Sequence, residues 1–364
     1  MKDLLQLRDE IDVIDNQIVE LYEKRMEIAK GVAEYKISVG KKVFDKEREL
    51  QKLDTLSKKA SSEFTKNGIR ELFEQIMAMS RKKQYQLLTE HGQKEELGFQ
   101  KKNIDFSNAR IVFQGVEGAY SQQAMQEFFG TECDSFNVDT WKDAMEAIKN
   151  NEADYAVLPI ENSSAGIVSE NYDLLVEYDN YIVGEQILKI DNTLLGVKGA
   201  TMDDIEVVYS HPQPLLQCSD FLEKHKDWQK ISMKNTALCA KTIKDENDKT
   251  KAAIASRITA DIYDLDVLEE AIQNNKNNCT RFIIVTNKRV YNENANKISI
   301  CFEIKHESGS LYHMLSHFIY NNLSMNKIES RPLEGRNWEY RFFIDFDGNL
   351  SDSAVKNALR GLRD

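Results

Sequence analysis

The chain has 364 residues, enough for two or three domains with substantial cores. Its formal net charge of -12 sets it against nucleic acid and anionic lipid as bulk partners, so an anionic ligand has to be captured by a few placed arginines. The opening MKDLLQLRDEID carries charges where an export signal needs an apolar run, and no later stretch approaches about 20 consecutive apolar residues, so the expected setting is cytoplasmic with no membrane span.

Residues 1–90 read as wholly helical, in segments of about 3–37, 46–60 and 65–90, the second starting after an Asp45 cap. In the first, Leu4, Leu7, Ile11, Ile14, Ile18, Leu21, Arg25, Ile28, Val32 and Tyr35 alternate spacings of three and four, the period of one helix face. No Gly or Pro interrupts residues 3–30. The helix can therefore reach roughly 50 Å at ~1.5 Å per residue, a length that calls for a partner helix from a second chain. Arg25 holds a position where the stripe expects an apolar residue. A charge on a buried stripe is costly unless it meets a structural acid or an anionic ligand.

Arg25 and Lys36 are eleven residues apart, which returns to within about 20° of the same face and ~16 Å along the axis, so both can converge on one anion. Arg8 lies ~25 Å from Arg25 and about 100° round the helix, so it reaches the same small ligand only from an antiparallel second subunit. The second segment begins DKERE, grouping Asp45, Arg48 and Glu49, and the third puts Ser80 and Gln84 one turn apart on one face. The plainer alternative is a dimerisation helix whose arginines form surface ion pairs.

With LRDEID, KR and a distant K, VFDKERE and SRKKQ in place, residues 1–90 resemble the all-helical chorismate mutases. The resemblance implies a domain-swapped dimer in which Arg8 of one chain, with Arg25, Lys36 and Arg48 of the other, holds the two carboxylates of chorismate. It also implies that Lys36 and Gln84 serve the ether oxygen and Glu49 the substrate hydroxyl, with Asp45 and Ser80 among the binding residues. A [3,3] rearrangement needs neither nucleophile nor metal, only a held conformer and positive charge at the breaking C–O bond.

EHGQKEELGFQKKNIDFSN loses periodicity and reads as a linker, 91–108. From Ile111 short apolar runs (IVFQG, YAVLPI, YIVGEQIL, VVYS, FIIVT) alternate with helical stretches, an α/β texture. Five cysteines without a C-x-x-C pair read as buried thiols and not as a disulfide framework. FQGVEGAYSQQA reads as strand, Gly-rich turn and a helix capped near Ser121, a place that attracts an anion, or simply as a tight turn. LPIENSSAG places polar groups at a strand's carboxyl end, where open α/β sheets bind ligands, and NNCTRFIIV opens a strand with a hydroxyl and a guanidinium. Arg281 offers a bidentate grip on a carboxylate, and Thr280 donates a proton without carrying charge.

With SHPQPLLQC, these motifs resemble prephenate dehydratase over about 109–288. The resemblance implies two lobes of a periplasmic-binding-protein-like fold closing on prephenate, with Ser121, Glu161, Asn162, Ser163, Gln213 and Arg281 lining the cleft and Thr280 as general acid. His211, before PQP, is the rival acid and reads as structural. The family's Gly-Pro-x-Gly-Thr-Phe-Ser stands here as Gly115-Val116-Glu117-Gly118-Ala119-Tyr120-Ser121, and Asn192 stands where a histidine is expected.

Residues 297–364 give the order β-α-β-β-α, ferredoxin-like but one strand short. GSLYHML and NKIESRP resemble an ACT domain of the phenylalanine-sensing type, which implies an amino-acid pocket of Gly309, Ser310, Leu311, Glu329 and Ser330 at a dimer interface. Serine replaces the family's alanine in the Gly-Ala-Leu motif. His313 and His317 are spaced to share a metal but lack a third ligand, so no metal is expected.

The expected architecture is multidomain: an all-α chorismate mutase domain, an α/β two-lobed periplasmic-binding-protein-like dehydratase domain and an α+β ferredoxin-like ACT domain. The resemblances imply an enzyme without cofactors that takes chorismate to prephenate and on to phenylpyruvate, with L-phenylalanine as feedback ligand and a homodimer or higher homo-oligomer as its state. Arogenate as the dehydratase substrate, a non-catalytic amino-acid sensor and a solute-binding protein are the alternatives.

Overall fold

The computed structural model describes residues 3–91, 97–304, 306–307, 309–333, 335–336 and 338–363. The chain forms two compact units, Gly98–Asn292 on one hand and Met1–Leu97 with Glu293–Asp364 on the other.

The second of these begins with three helices, α1 (Leu4–Ser38), α2 (Lys46–Ser57) and α3 (Glu63–Glu90). Each start has a local cause. Asp3 accepts the Gln6 amide at 2.9 Å, Asp45 accepts the Arg48 amide at 3.0 Å, and Ser62 and Thr65 cap each other reciprocally before α3. Gly40, at φ 66°, supplies the left-handed turn after α1.

The helices agree with the expectation of a partner from outside the chain. Within the chain α1 does not bury its large apolar stripe: Ile28 is 70 % and Leu21 65 % exposed, and Leu4, Leu7, Ile11, Ile14, Ile18, Val32 and Tyr35 are exposed as well. The face turned to α3 carries Ala29 and Ala33, both buried, with half-buried Arg25, Met26 and Lys36 beside them. The periodicity was right, but it marks a face that no element of the same chain covers.

In Gly98–Asn292 the elements run β1 (Gln100–Lys101), β2 (Arg110–Gln114), α4 (Tyr120–Phe129), β3 (Asp134–Val138), α5 (Trp141–Lys149), β4 (Tyr155–Asn162), β5 (Gly166–Ile167), α6 (Ser169–Glu177) and β6 (Tyr181–Lys189). The chain continues through β7 (Asn192–Gly196), β8 (Val207–Ser210), α7 (Pro212–Gln217), α8 (Ser219–Leu222), β9 (Gln229–Ser232), α9 (Thr236–Glu246), β10 (Lys251–Ser256), α10 (Ile258–Tyr263) and β11 (Asp266–Glu269), and returns by β12 (Cys279–Thr286) and β13 (Val290–Tyr291). Two open sheets result, in the orders β3-β2-β4-β12-β6 and β11-β7-β10-β8-β9. They form two α/β lobes, linked by crossings at 190–191 and 270–278.

The first lobe's core gathers Ile111, Phe113, Met125, Val157, Leu188, Phe282 and Ile284. The stretch read as a linker contributes to it: Ile104 is buried there, and the Phe106 ring meets Phe128, Phe129 and Tyr155 edge-on at 5.4, 5.2 and 5.1 Å. Charged neighbours hid these two apolar residues from a periodicity count. Residues 92–96 of that stretch lie outside the described residues.

The C-terminal segment rejoins the helices. Strands β14 (Lys297–Glu303), β15 (Met325–Pro332) and β16 (Tyr340–Asp347) make an antiparallel sheet in the order β14-β16-β15, with α11 (Ser310–Ile319) and α12 (Ser353–Arg363) packed around Phe318, Ile344, Phe346 and Val355. This is the expected three-stranded, ACT-like module. Helix α12 packs on α3, and Gln75 of α3 donates to the Tyr312 hydroxyl of α11 at 2.7 Å. No helix among the described residues is long and apolar enough to cross a membrane.

Candidate functional sites

The first site lies among α1, α2 and α3. Arg25, Ala29, Ala33 and Lys36 share one face of α1, and the two alanines leave room between the two cations. Arg25 donates to the Ser80 hydroxyl at 2.5 Å, and Lys36 donates to the Val43 carbonyl at 2.5 Å. Burial lowers the pKa of both cations, and Glu49 pulls both back up, joined by Asp45 at Lys36. One turn beyond Ser80, the Gln84 side chain is buried and its Oε1 has no hydrogen-bond partner. Glu49 is held by Arg81 of α3. Two partly desolvated cations beside a hydroxyl and an unsatisfied amide make a cluster suited to a small anion. Of the other predicted residues, Asp45 is spent capping α2, while Arg48 and Arg8 are exposed and no part of the same chain brings Arg8 to this cluster.

The second site is at the end of β4. Strand β12 pairs antiparallel with it, Phe282 opposite Pro159 and Arg281 opposite Glu161, so Ile160 is an extra residue, a β-bulge. The bulge re-aims the last residues of β4 and sets Asn162 opposite Thr280. Asn162 donates its amide to the Thr280 hydroxyl at 2.9 Å, while its carbonyl oxygen accepts the amides of Ser164 at 3.0 Å and Ala165 at 2.9 Å. With a further bond from its amide to the Cys279 carbonyl at 3.2 Å, four bonds lock Asn162. The Ser163 hydroxyl accepts the Cys279 amide at 2.9 Å and knits the same corner.

Arg281 follows Thr280 and so points to the opposite face of β12, where its Nε meets Glu185 at 2.8 Å and its other nitrogen lies 4.0 Å from Glu161. The guanidinium is thus held between two glutamates. Ser121 is not a helix cap: α4 begins at Tyr120 with Ala119 at its N-cap and no side-chain cap, and the buried Ser121 hydroxyl donates back to the Gln114 carbonyl. The Gly-rich turn uses its own amides internally, with Gly115 bonded to Val138 and Gly118 to Gln122. It ties the lobes together, since Ser256 donates to the Gly118 carbonyl at 3.0 Å and Tyr263 to the Glu117 carbonyl at 2.8 Å. Gly118, at φ 87°, admits no side chain, because a Cβ there would stand 2.6 Å from Thr259.

Gln213 is exposed at the start of α7, where its amide is capped by the His211 ring at 3.3 Å. Burial lowers the His211 pKa, which suits an acceptor and the structural part expected of it. The sequence reading missed Gln217, four residues on. Its side-chain oxygen accepts from Asn192 and from Asn278, each at 3.3 Å, and so ties the second lobe to the crossing that returns to the first. Asn192, where a histidine was expected, is fully buried and also accepts from the Tyr120 hydroxyl at 3.3 Å. A helix of six residues is too short for periodicity to choose between Gln213 and Gln217.

In the C-terminal module Gly309, at φ 84°, is the N-cap of α11, with Ser310 and Leu311 in its first turn. Glu329 and Ser330 lie on β15, half-buried and exposed respectively.

Fold and sites together describe a chain of three parts: a helical unit bearing a cationic cluster, a lobed α/β unit with a locked Asn162–Thr280 corner, and an ACT-like module. A family profile for chorismate mutase type II matches residues 7–85, and one for prephenate dehydratase matches residues 111–290. The bifunctional chorismate mutase/prephenate dehydratase of Buchnera aphidicola (from Acyrthosiphon pisum) is 35 % identical over 99 % of this chain and 93 % of its own. Among solved structures, the prephenate dehydratase of Arthrobacter aurescens in complex with L-Phe is 28 % identical with a TM-score of 0.65, covering 70 % of this chain and 85 % of that one. GqqA, described as a quorum quenching acylase, is 27 % identical with a TM-score of 0.63, covering 70 % and 92 %. The chain belongs to the bifunctional chorismate mutase/prephenate dehydratase family, and its activities are those two steps of phenylalanine biosynthesis.

Proposed function

We propose that the mutase reaction takes place between α1, α2 and α3, completed by a second copy of the chain, and that the dehydratase reaction takes place at Thr280. The observation that carries the first part is the pairing of two desolvated cations, Arg25 and Lys36, with Ser80 and the unpartnered amide of Gln84. In this reading Arg25, Arg48 and Arg8 of the second copy hold the two carboxylates of chorismate. Lys36 and Gln84 meet the ether oxygen as negative charge develops on it, and Glu49 takes the hydroxyl. A half-turn of the Gln84 amide puts its N–H2 in the position that now lacks a partner. The uncovered apolar stripe of α1 supports an antiparallel helix from the second copy.

In the dehydratase reaction the prephenate carboxylate leaves as CO2, and its bonding electrons enter the ring and expel the ring hydroxyl as water. The step is redox-neutral and needs one proton on the departing oxygen. Thr280 suits that task because its oxygen already accepts from Asn162, which directs its own proton elsewhere. Ser163 braces this corner directly, whereas Glu161 and Arg281 sit on the opposite face of the β4–β12 pair and support the strand from behind, and Ser121 and Gln213 would have to act from the adjoining Gly-rich turn and from α7.

The C-terminal module is the seat of control by L-phenylalanine, through Gly309, Ser310, Leu311, Glu329 and Ser330. The L-Phe bound in the Arthrobacter dehydratase structure supports this part. A time course with chorismate alone, following chorismate, prephenate and phenylpyruvate in the same samples, tests the reading. Phenylpyruvate forms without added cofactor, and L-phenylalanine slows it. L-Phenylalanine formed from arogenate, with no phenylpyruvate formed from prephenate, would reassign the substrate.

A further inference from the structure

In the SRKKQ motif Ser80 and Gln84 face the cations of α1, which leaves Arg81 about 100° round α3, facing α2. There it forms an ion pair with Glu49, both side chains largely shielded, at 18 % and 23 % exposure. Its guanidinium lies over the Phe44 ring, 5.0 Å from the centroid, which fixes it from a second side. Glu49 is also near enough to Arg25 and Lys36 to raise the pKa of both. Three cations therefore compete for one carboxylate.

We infer that Arg81 is a positioning residue of the mutase site: it claims Glu49 and so keeps that carboxylate off Arg25 and Lys36, which stay available for a dianionic ligand. Without Arg81, Glu49 is left in the field of the two cations the ligand needs. An entering dianion would then have to break a preformed ion pair, a cost paid at binding and absent from the rearrangement itself. The signature is a raised KM with a nearly unchanged kcat. The inference rests on the reading of Glu49 and Lys36 as substrate-facing residues.

A simple strut between α2 and α3 would contain the same ion pair but would act on stability alone, and a double-mutant cycle separates the two. In the full-length chain, Arg81→Met raises the KM for chorismate about tenfold with kcat within about threefold. Prephenate turnover in the same samples stays at the parent level and certifies folding, and Arg81→Lys, which keeps the cation, restores most of the affinity. In a Glu49→Gln background there is no anion to misdirect, and Arg81→Met adds little. An unchanged KM in Arg81→Met, or an equal penalty in both backgrounds, overturns the inference while the wider reading stands. Glu49→Gln with parent mutase kinetics would remove the substrate-facing reading of Glu49 and this inference with it.

Discussion

Asn162 donates its side-chain amide to the Thr280 hydroxyl at 2.9 Å, across two strands whose residues are 118 positions apart in sequence. The bond leaves the Thr280 oxygen with one acceptor site filled and its proton free to point into the cleft. Asn162→Leu keeps the approximate shape and removes the donor. Phenylpyruvate formation from prephenate is expected to fall by roughly 10- to 100-fold, mostly in kcat, the range for losing one placed hydrogen bond at a reacting group. Mutase activity is unaffected in the same preparation. Parent dehydratase rates in this variant would show that Thr280 needs no such orientation.

Arg8 and Arg25 lie on one helix but at different heights and angles, so sharing between subunits has a signature. Neither Arg8→Ala nor Arg25→Ala chains alone should have significant mutase activity. After subunit exchange, each mixed dimer regains one site with both arginines, and an equal mixture should reach about a quarter of parent activity on random pairing of subunits. Exchange demonstrated by mass with one variant isotopically labelled, and no recovered activity, would place both arginines in the same subunit's site.

His317 of α11 is half-buried, its ring pressed against Gly361 of α12, and it feels the charges of Arg81 and His313. Burial first, then these two cationic groups, push its pKa down to about 4 from an ordinary 6.5. A base whose folded pKa is depressed takes its proton first in the unfolded chain. Its stabilising share is therefore full above about pH 6.5 and lost as pH falls toward 4. The loss amounts to roughly 2–3 kcal/mol over that range for the unit holding α3, α11 and α12. Urea midpoints at pH 7 and 4.5 should differ more for the parent chain than for His317→Gln. Equal differences would mean that other groups set the acid sensitivity.

The sequence made the cations of α1 legible because helical spacing alone puts Arg25 and Lys36 on one face and Ser80 and Gln84 on another. What covers those faces is tertiary. The stripe from Leu4 to Tyr35 stays open within the chain, as a helix too long for a lone domain leads one to expect, but the pattern does not show that Arg25 turns instead toward α3 with Ala29 and Ala33. The Asn162–Thr280 pair depends on a bulge at Ile160 and on two strands brought together from distant parts of the sequence, neither of which leaves a local pattern. The Arg81–Glu49 pair was hidden for the same reason, because surface-like charges on two separate helices look solvated until the helices are packed. Ile104 and Phe106 were read as linker because two apolar residues among charges have no period at all.

Strands β1 and β13 run parallel, Gln100 opposite Val290 and Lys101 opposite Tyr291, so the lobed unit enters and leaves the chain at neighbouring points. In chain topology it is an insertion into a host made of the three helices and the C-terminal sheet. Left unfolded, a segment of that length would charge the host a closure entropy on the order of 5 kcal/mol before α12 could reach α3. Once folded, it brings its own ends together and the charge disappears. During synthesis the helices emerge first, yet their contact with α11 and α12 has to wait for the lobes between them. A lesion confined to the lobes can thereby weaken the host through the closure of the chain alone.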